Sequence, residues 1–415
     1  MSRTSRIAAL TLAVALAAPA VAAPPTTQPS ATQEIVLPSD YDAALPVAKG
    51  GPAVGVVDDD LEPLVHIDGP MPTTFDVAAD GTIYAAFPRW RDPVNIAVAR
   101  IDPESGEMTA FPDAETNAYV PGQPDKYAPA DHFVCVQAVR LDERGRLWVL
   151  DTGAVNMGTV EPGGAKLVGY DPQTGDEVAR VVFDVADDAA VQEKSYLNDV
   201  RFDLDRGEDG VAFITDSGSE GGIVVVDLAS GRATKKLAGH DSTLADEGVQ
   251  LIVEGQPLLQ RPPQGEPKPV LIHSDGIAID REAGWLYYTP LSGRSLYRVP
   301  LDALVGEGDA TSAVEKVAAM ESANDGIVAD ADGRIYTTDF EDNAIRRIDP
   351  STGESELLVQ DERLLWPDCV IVRDGAVYVT SNQLHRQPQF HENADLRERP
   401  YTIFQLSVDG ADREE

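Results

Sequence analysis

Six segments of this chain repeat one pattern: a short apolar strand, a turn rich in Asp and Gly, then a second apolar strand that ends in polar residues. They begin at Phe75, Ala138, Asn198, Asp275, Asn324 and Pro367, and the second strand of each carries one aligned aromatic: Tyr84, Trp148, Phe213, Tyr287, Tyr336 and Tyr378. These aromatics are 64, 65, 74, 49 and 42 residues apart, the mark of a repeat architecture. Each unit runs on into a third apolar strand, often followed by a turn and a fourth. The alternation and the Asp-Pro-x-x-Gly turns are those of strands and hairpins, not helices. Six four-stranded units in tandem predict an all-β, six-bladed β-propeller. The chain ends soon after the third strand of the sixth unit. The outermost strand of that blade is therefore expected from the N-terminal side, between Glu34 and Val57, so that the ring closes and no blade keeps an open edge.

The ends read differently from the repeat. Arg3 and Arg6 precede an apolar run from Ile7 to Ala18, and Ala20 and Ala22 supply a small-residue cleavage pattern. Residues 1–22 are thus expected to be a signal peptide, 23–33 a flexible tether, 34–410 a single propeller and 411–415 a disordered tail. The apolar run is too short for a membrane anchor, which needs about 20 residues. The mature protein is expected to be secreted or periplasmic. The Pro-rich stretch between Gln250 and Ser274 lies between the third and fourth blades and reads as a surface excursion, not a domain linker.

Charge narrows the partners. With 33 basic and 70 acidic side chains the net charge is −37, and loss of Arg3 and Arg6 with the leader makes it −39. Such a chain repels phosphate backbones and anionic lipid, so neither nucleic acid nor membrane insertion is expected. A small ligand that is cationic, aromatic or neutral is, and the protein is expected to be a monomer without an organic cofactor.

Most of the acid is architectural. Asp80-Gly81, Asp332-Gly333 and Asp374-Gly375 fall at the first hairpin of their blades, and Asp102, Asp171 and Asp349 precede prolines in later turns. Asp151, Asp216 and Asp339 end second strands and read as turn residues. A different set opens the first strands of four successive blades: Asn198-Asp199, Asp275, Asn324-Asp325 and Asp368. First strands line the channel of a propeller, so these side chains are expected to converge at one mouth. There they would offer hard oxygen ligands to Ca²⁺ or another divalent cation, or an acceptor cage for an ammonium group. The competing reading is that they cap loops and tie blades together. Asn198, Asp275, Asn324 and Asp368 are the candidate channel residues, and Asn198, Asp275 and Asp325 the candidate metal ligands. No G-x-S-x-G, H-E-x-x-H or Walker motif is present, and the six histidines are dispersed. Cys135 and Cys369 open the first strands of two blades that are not neighbours, and whether they pair is open.

The blocks RLWVLDTG (146–153), YLNDV (196–200), AFITDSG with GGIVVVDL, LYYTPLSG (286–293), and WPDCVIV with VYVTSNQL resemble the major royal jelly protein and Yellow family in order and spacing. The resemblance runs from about Phe75 to Phe390. It implies a secreted six-bladed propeller with a small-molecule-binding channel; animal members are linked to conversion of dopachrome-like compounds, amine binding and nutritive roles. Asn382 and Phe390 correspond to that family's terminal S-N-R-L-x-x-F stretch, with Gln383 in place of its arginine, and join the candidate channel residues. A more distant resemblance, to the gluconolactonase and senescence-marker propellers, implies a divalent cation held by Glu, Asn and Asp from different blades, and lactone or ester hydrolysis. Asn198, Asp275 and Asp325 occupy ligand slots of that class, while Met71-Pro72-Thr73-Thr74 stands where it would offer a glutamate. Three functions follow as expectations: a binding, or converting, channel for a small metabolite; a cation-dependent lactonase or esterase; and a scaffold for another protein.

Overall fold

The computed structural model describes residues 51 and 53–408, apart from 187–189, 219, 247 and 263. The leader, the tether and the tail expected from the sequence lie outside the described residues. The propeller falls within the compact unit Asp42–Glu415.

Six four-stranded antiparallel sheets form the ring, five of them in simple sequence order from the channel outward and the sixth with an N-terminal strand outermost. The innermost strands are Phe75–Val77, Val136–Leu141, Leu197–Asp203, Ser274–Asp280, Asn324–Ala329 and Pro367–Arg373. In the last blade the fourth strand is Leu61–Ile67, which pairs antiparallel with Tyr401–Ser407. The ring is closed by an N-terminal strand as expected, but that strand lies just beyond the stretch from Glu34 to Val57. Pro63 obscures it in the sequence: the register shifts between Pro63 and Val65, an irregularity that an outer strand tolerates because a proline there forfeits no interior ladder bond.

Hairpin chemistry accounts for the repeat. In blade two, Asp142 accepts N–H bonds from Arg144 and Arg146 and a third from the indole of Trp148. Asp330 in blade five does the same with Asp332, Arg334 and the Tyr336 hydroxyl. In these two blades the aligned aromatic is thus bonded to its own turn while its ring packs in the core. Asp102, Asp171 and Asp349 each accept backbone N–H groups from residues two and three positions on. Asp151, Asp216 and Asp339 are buried in ion pairs with Lys166, Lys235 and Arg346 at 2.7–2.8 Å. Large side chains fill the gaps between sheets, with Trp148 stacked on Phe202 at a centroid distance of 5.1 Å.

Two insertions leave the ring on the same side. Between blades three and four, two short ribbons form, Ile252–Val253 with Gln256–Pro257 and Leu259–Gln260 with Lys268–Pro269. Inside blade six, between its second and third strands, lie the 3-10 turns Leu384–Arg386 and Pro388–Phe390. Arg261 joins the two insertions by donating from its backbone N–H to Gln389 O and from Nε to Phe390 O. Among the described residues no helix is long and apolar enough to cross a membrane. Cys135 and Cys369 are both buried and free.

Candidate functional site

Five of the six inner strands break register with their partner at the same level. The irregularities fall between Val136 and Ala138, Leu197 and Val200, Ser274 and Ile277, Asn324 and Ile327, and Pro367 and Val370. A bulge re-aims the side chain it releases from the ladder. The first residue released in each is Gln137, Asn198, Asp275, Asp325 or Asp368, and all five of these line one cavity at the channel mouth. Glycine follows two of these carboxyls because the blades approach so closely there. A Cβ on Gly276 would stand 2.5 Å from Asp325 O, and one on Gly326 would stand 2.4 Å from Asp368 O.

Blades three to six therefore bring Asn198, Asp275, Asp325 and Asp368 together. Asn198 Nδ2 donates to Asp275 Oδ1 at 2.5 Å, and Ser217 Oγ to Asp275 Oδ2 at 3.2 Å. Asp275 and Asp325 act directly on each other's ionisation, and a proton held by either would join them. Trp366 Nε1 donates to Asp325 Oδ2 at 2.7 Å, and Asn382 Nδ2 to Asp368 Oδ2 at 2.5 Å. Burial pushes the Asp325 carboxyl up to about 6 against the pull of Trp366 and Asp275. It pushes Asp275 and Asp368 up as well, and the neighbouring carboxylates add to the rise. Among the described residues none of the three carboxyls has an Arg or Lys partner.

The other candidates sit nearby in different roles. Asn324 is one residue off the released position: it is fully buried, and its amide faces Thr289 of the neighbouring blade. Asn382 holds Asp368 from behind and also donates to Pro72 O at 3.1 Å. Phe390 lines the cavity from the lid side. Asp199, next to Asn198, points down the channel instead. Arg140 grips it with two bonds of 3.0 and 2.6 Å, and Arg201 reaches it at 2.9 Å. Arg140 also spans to Phe75 O and to Cys369 Sγ at 3.1 Å, and Arg201 crosses to Ile327 O. These three side chains bond across the waist of the channel; none of them lines the cavity at the mouth, and Arg140 and Arg201 line a separate one.

The sequence reading missed the walls. Trp90 Nε1 donates to Tyr196 OH at 2.7 Å, and that hydroxyl donates to Gln137 Oε1 at 2.8 Å. Gln137 could have been found by aligning VQAVRLD with LNDVRFD; Trp90 belongs to no repeat and left no signal. The two insertions form the roof. Glu254 on the first takes His385 Nε2 at 2.8 Å and Arg386 Nη2 at 2.5 Å on the second. The His385 ring stacks on Trp366, the donor to Asp325. His273, on the chain just before the inner strand of blade four, accepts the Ala245 N–H and ties a loop. The enclosed space is small, about 50 Å³. A wider outer chamber of about 410 Å³ adjoins it and shares Trp90, Met157, Gln260, Gln387 and Gln389 as lining.

The oxygen-rich floor suits a hard cation in chemistry, but as arranged its groups bond to one another. Among the described residues no three His, Cys, Asp or Glu side chains group in a way that could hold a metal ion.

Comparison with known proteins agrees with this architecture. Protein yellow from Drosophila erecta is 27% identical over 142 residues, which is 32% of this chain and 24% of that protein. The chain thus spans about a quarter of that relative's length. A luciferin-regenerating enzyme superposes with a TM-score of 0.50 at 12% identity, covering 86% of this chain and 99% of the other. The calcium-binding protein regucalcin from Agrobacterium tumefaciens gives 0.49 at 18% identity, covering 86% and 94%. The first of these likenesses, at 12% identity, shows the fold alone. The profile of the major royal jelly protein family, in contrast, matches residues 134–415, from the first strand of blade two to the end of the sequence. With more than half of its length under that profile, the chain belongs to the major royal jelly protein family.

Proposed function

We propose that this protein is an exported propeller that binds a small cationic metabolite at the closed mouth of its channel. The ammonium group would lie against Asp275, Asp325 and Asp368, and the adjoining apolar part against Trp90, Tyr196 and Phe390. One observation carries the reading: three carboxyls from successive blades are buried together with, among the described residues, no basic side chain to neutralise them. Gathering like charges costs free energy unless protons or a cation are shared among them, and an aromatic wall adds attraction for a cation. Room for about two waters at roughly 30 Å³ each suits a head group, with the rest of the ligand in the outer chamber.

Isothermal titration with a panel of primary and quaternary amines tests this. Binding that is lost in Asp275→Asn and Asp368→Asn is the expected result; no heat from any amine at millimolar concentration overturns it. Export is tested by sequencing the N-terminus of the mature protein, which should begin after Ala22.

The oxygen-only donors Asn198, Asp275 and Asp325 also favour a second occupant of the same place, Ca²⁺ or another divalent cation. Metal analysis of protein purified without chelator, with a lactone and ester screen before and after chelation, decides it. No hydrolytic step follows from the arrangement of these groups, because blade one presents Thr73 and blade two Gln137 at the corresponding level.

A further inference from the structure

The two chambers at the mouth carry opposite charge. The inner one contains Asp275, Asp325 and Asp368 and no basic residue. Among the described residues, the outer one contains Arg91, Arg261 and Lys268 and no acidic residue. In a chain with 70 acidic and 33 basic side chains, a chamber lined by three cations and no carboxylate runs against the composition. None of the three cations belongs to an ion pair among the described residues, whereas many other arginines in the protein do, such as Arg397 with Asp92 and Asp395. Arg261 is held in place by its bonds to Gln389 O and Phe390 O. At the neck between the chambers, Gln389 Oε1 is buried without a hydrogen-bond partner. Trp90 and Met157 form an apolar wall common to both.

We propose that the outer chamber is an anion subsite and that the ligand class is the zwitterion: an amine bearing a carboxylate at the far end of a short apolar or aromatic span. The ammonium would sit over the inner carboxyls and within reach of Gln389 Oε1. The span would lie along Trp90 and Met157, and the carboxylate would meet Arg91, Arg261 and Lys268, an arginine being suited to bidentate contact with it. This rests on the cation reading of the inner chamber and adds the group at the other end.

The test uses three probes that differ by one group: benzylamine, benzoate and 4-(aminomethyl)benzoate, each titrated calorimetrically into the full chain at low and high salt. The zwitterion should bind at least about ten-fold more tightly than benzylamine, a step typical of one charge-assisted contact. The advantage should shrink with salt, because the outer chamber is exposed. In Arg91→Gln/Lys268→Gln, two exposed positions whose change leaves the core untouched, the ratio of the two affinities should fall toward one; Arg261→Gln should act in the same direction. Equal affinities for benzylamine and the zwitterion, or a ratio unmoved by both variants, overturn the anion subsite while leaving the cation reading standing. Failure of benzylamine and the zwitterion alike overturns both.

Discussion

Replacing Asp199 with asparagine should cost this propeller more stability than almost any other change of one charged group. Asp199 is buried at the waist of the channel, gripped by Arg140 with two bonds and by Arg201 with a third. Asp76 adds a second negative charge to the field at Arg140. Two arginines facing two carboxylates are close to neutral as a group. Asp199→Asn leaves one positive charge buried and uncompensated, and breaking a buried pair from one side costs about 3–5 kcal/mol. With about 350 ordered residues, the entropy of unfolding is about 0.7 kcal/mol per kelvin, so the midpoint should fall by about 4–7 °C. The pH dependence has a definite sign. Burial alone would raise the Asp199 pKa, but Arg140 and Arg201 outweigh it and hold the carboxyl below its ordinary value. Its contribution is therefore complete above about pH 4 and is lost as the pH falls through the lowered pKa, so wild type and variant should converge only in acid. Thermal unfolding followed by circular dichroism at a fixed scan rate, at pH 7 and in a series down to pH 3, measures both. A midpoint within 1 °C of wild type at pH 7 would refute the view that the plug is a tightly coupled charge cluster.

Three further substitutions probe the mouth and its roof. Asp325, raised to about 6 by burial, makes the ligand-free protein lose stability as the pH rises from about 4 to 6; Asp325→Asn should remove that slope, raise the midpoint at pH 7 by a few degrees and abolish amine binding, all read by thermal melts and titration. Trp366→Phe keeps the ring stacked on Phe340 but deletes the Nε1 bond to Asp325. Denaturant unfolding should show a loss of about 1–3 kcal/mol. Glu254→Gln removes the charge that takes both His385 and Arg386, so hydrogen exchange of the amides from Leu384 to Phe390 should accelerate severalfold while the inner strands stay protected; unchanged exchange in that segment would show that the latch does not hold the roof.

The fold was legible because each blade writes the same local chemistry into the chain. An Asp at the hairpin, a Gly or polar residue to turn it, and an aromatic six positions on are bonded to one another in blades two and five, so they recur together. The ring of Asn198, Asp275, Asp325 and Asp368 was legible for the same reason. Its neighbour Asn324 was harder to place, because strand alternation assigns faces by counting in twos, and a bulge at that step breaks the count. The arginine plug was hidden in another way. Arg140 and Arg201 stand in strands where a charged residue ordinarily marks the wet face, and only the convergence of inner strands turns that face toward Asp199. The roof had no local signal at all. Glu254 and Arg386 are 132 residues apart and meet only because both insertions leave the ring on one side.

These features acting together separate affinity from rate. With Arg140, Asp199 and Arg201 bonded across the channel, the inner carboxyls face the side of the two insertions. That side is roofed, and the roof is tied by Glu254 to His385 and Arg386 and by Arg261 to Gln389 and Phe390. Burial would raise the Glu254 carboxyl, but its bonds from His385 and Arg386 outweigh that and bring it to about 2, so the latch stays charged over the ordinary pH range. On the proposed reading, the floor would set how tightly a cation is held, while the roof would set how often it could exchange. A change at Asp275 or Asp368 alters the free energy of the bound state. A change at Glu254 alters the opening step shared by entry and exit and moves both rates in the same direction. The −37 of the whole chain has little part in either: the charges that matter are three carboxyls below the neck, a plug beneath them that Asp76 brings close to neutral, and three cations above.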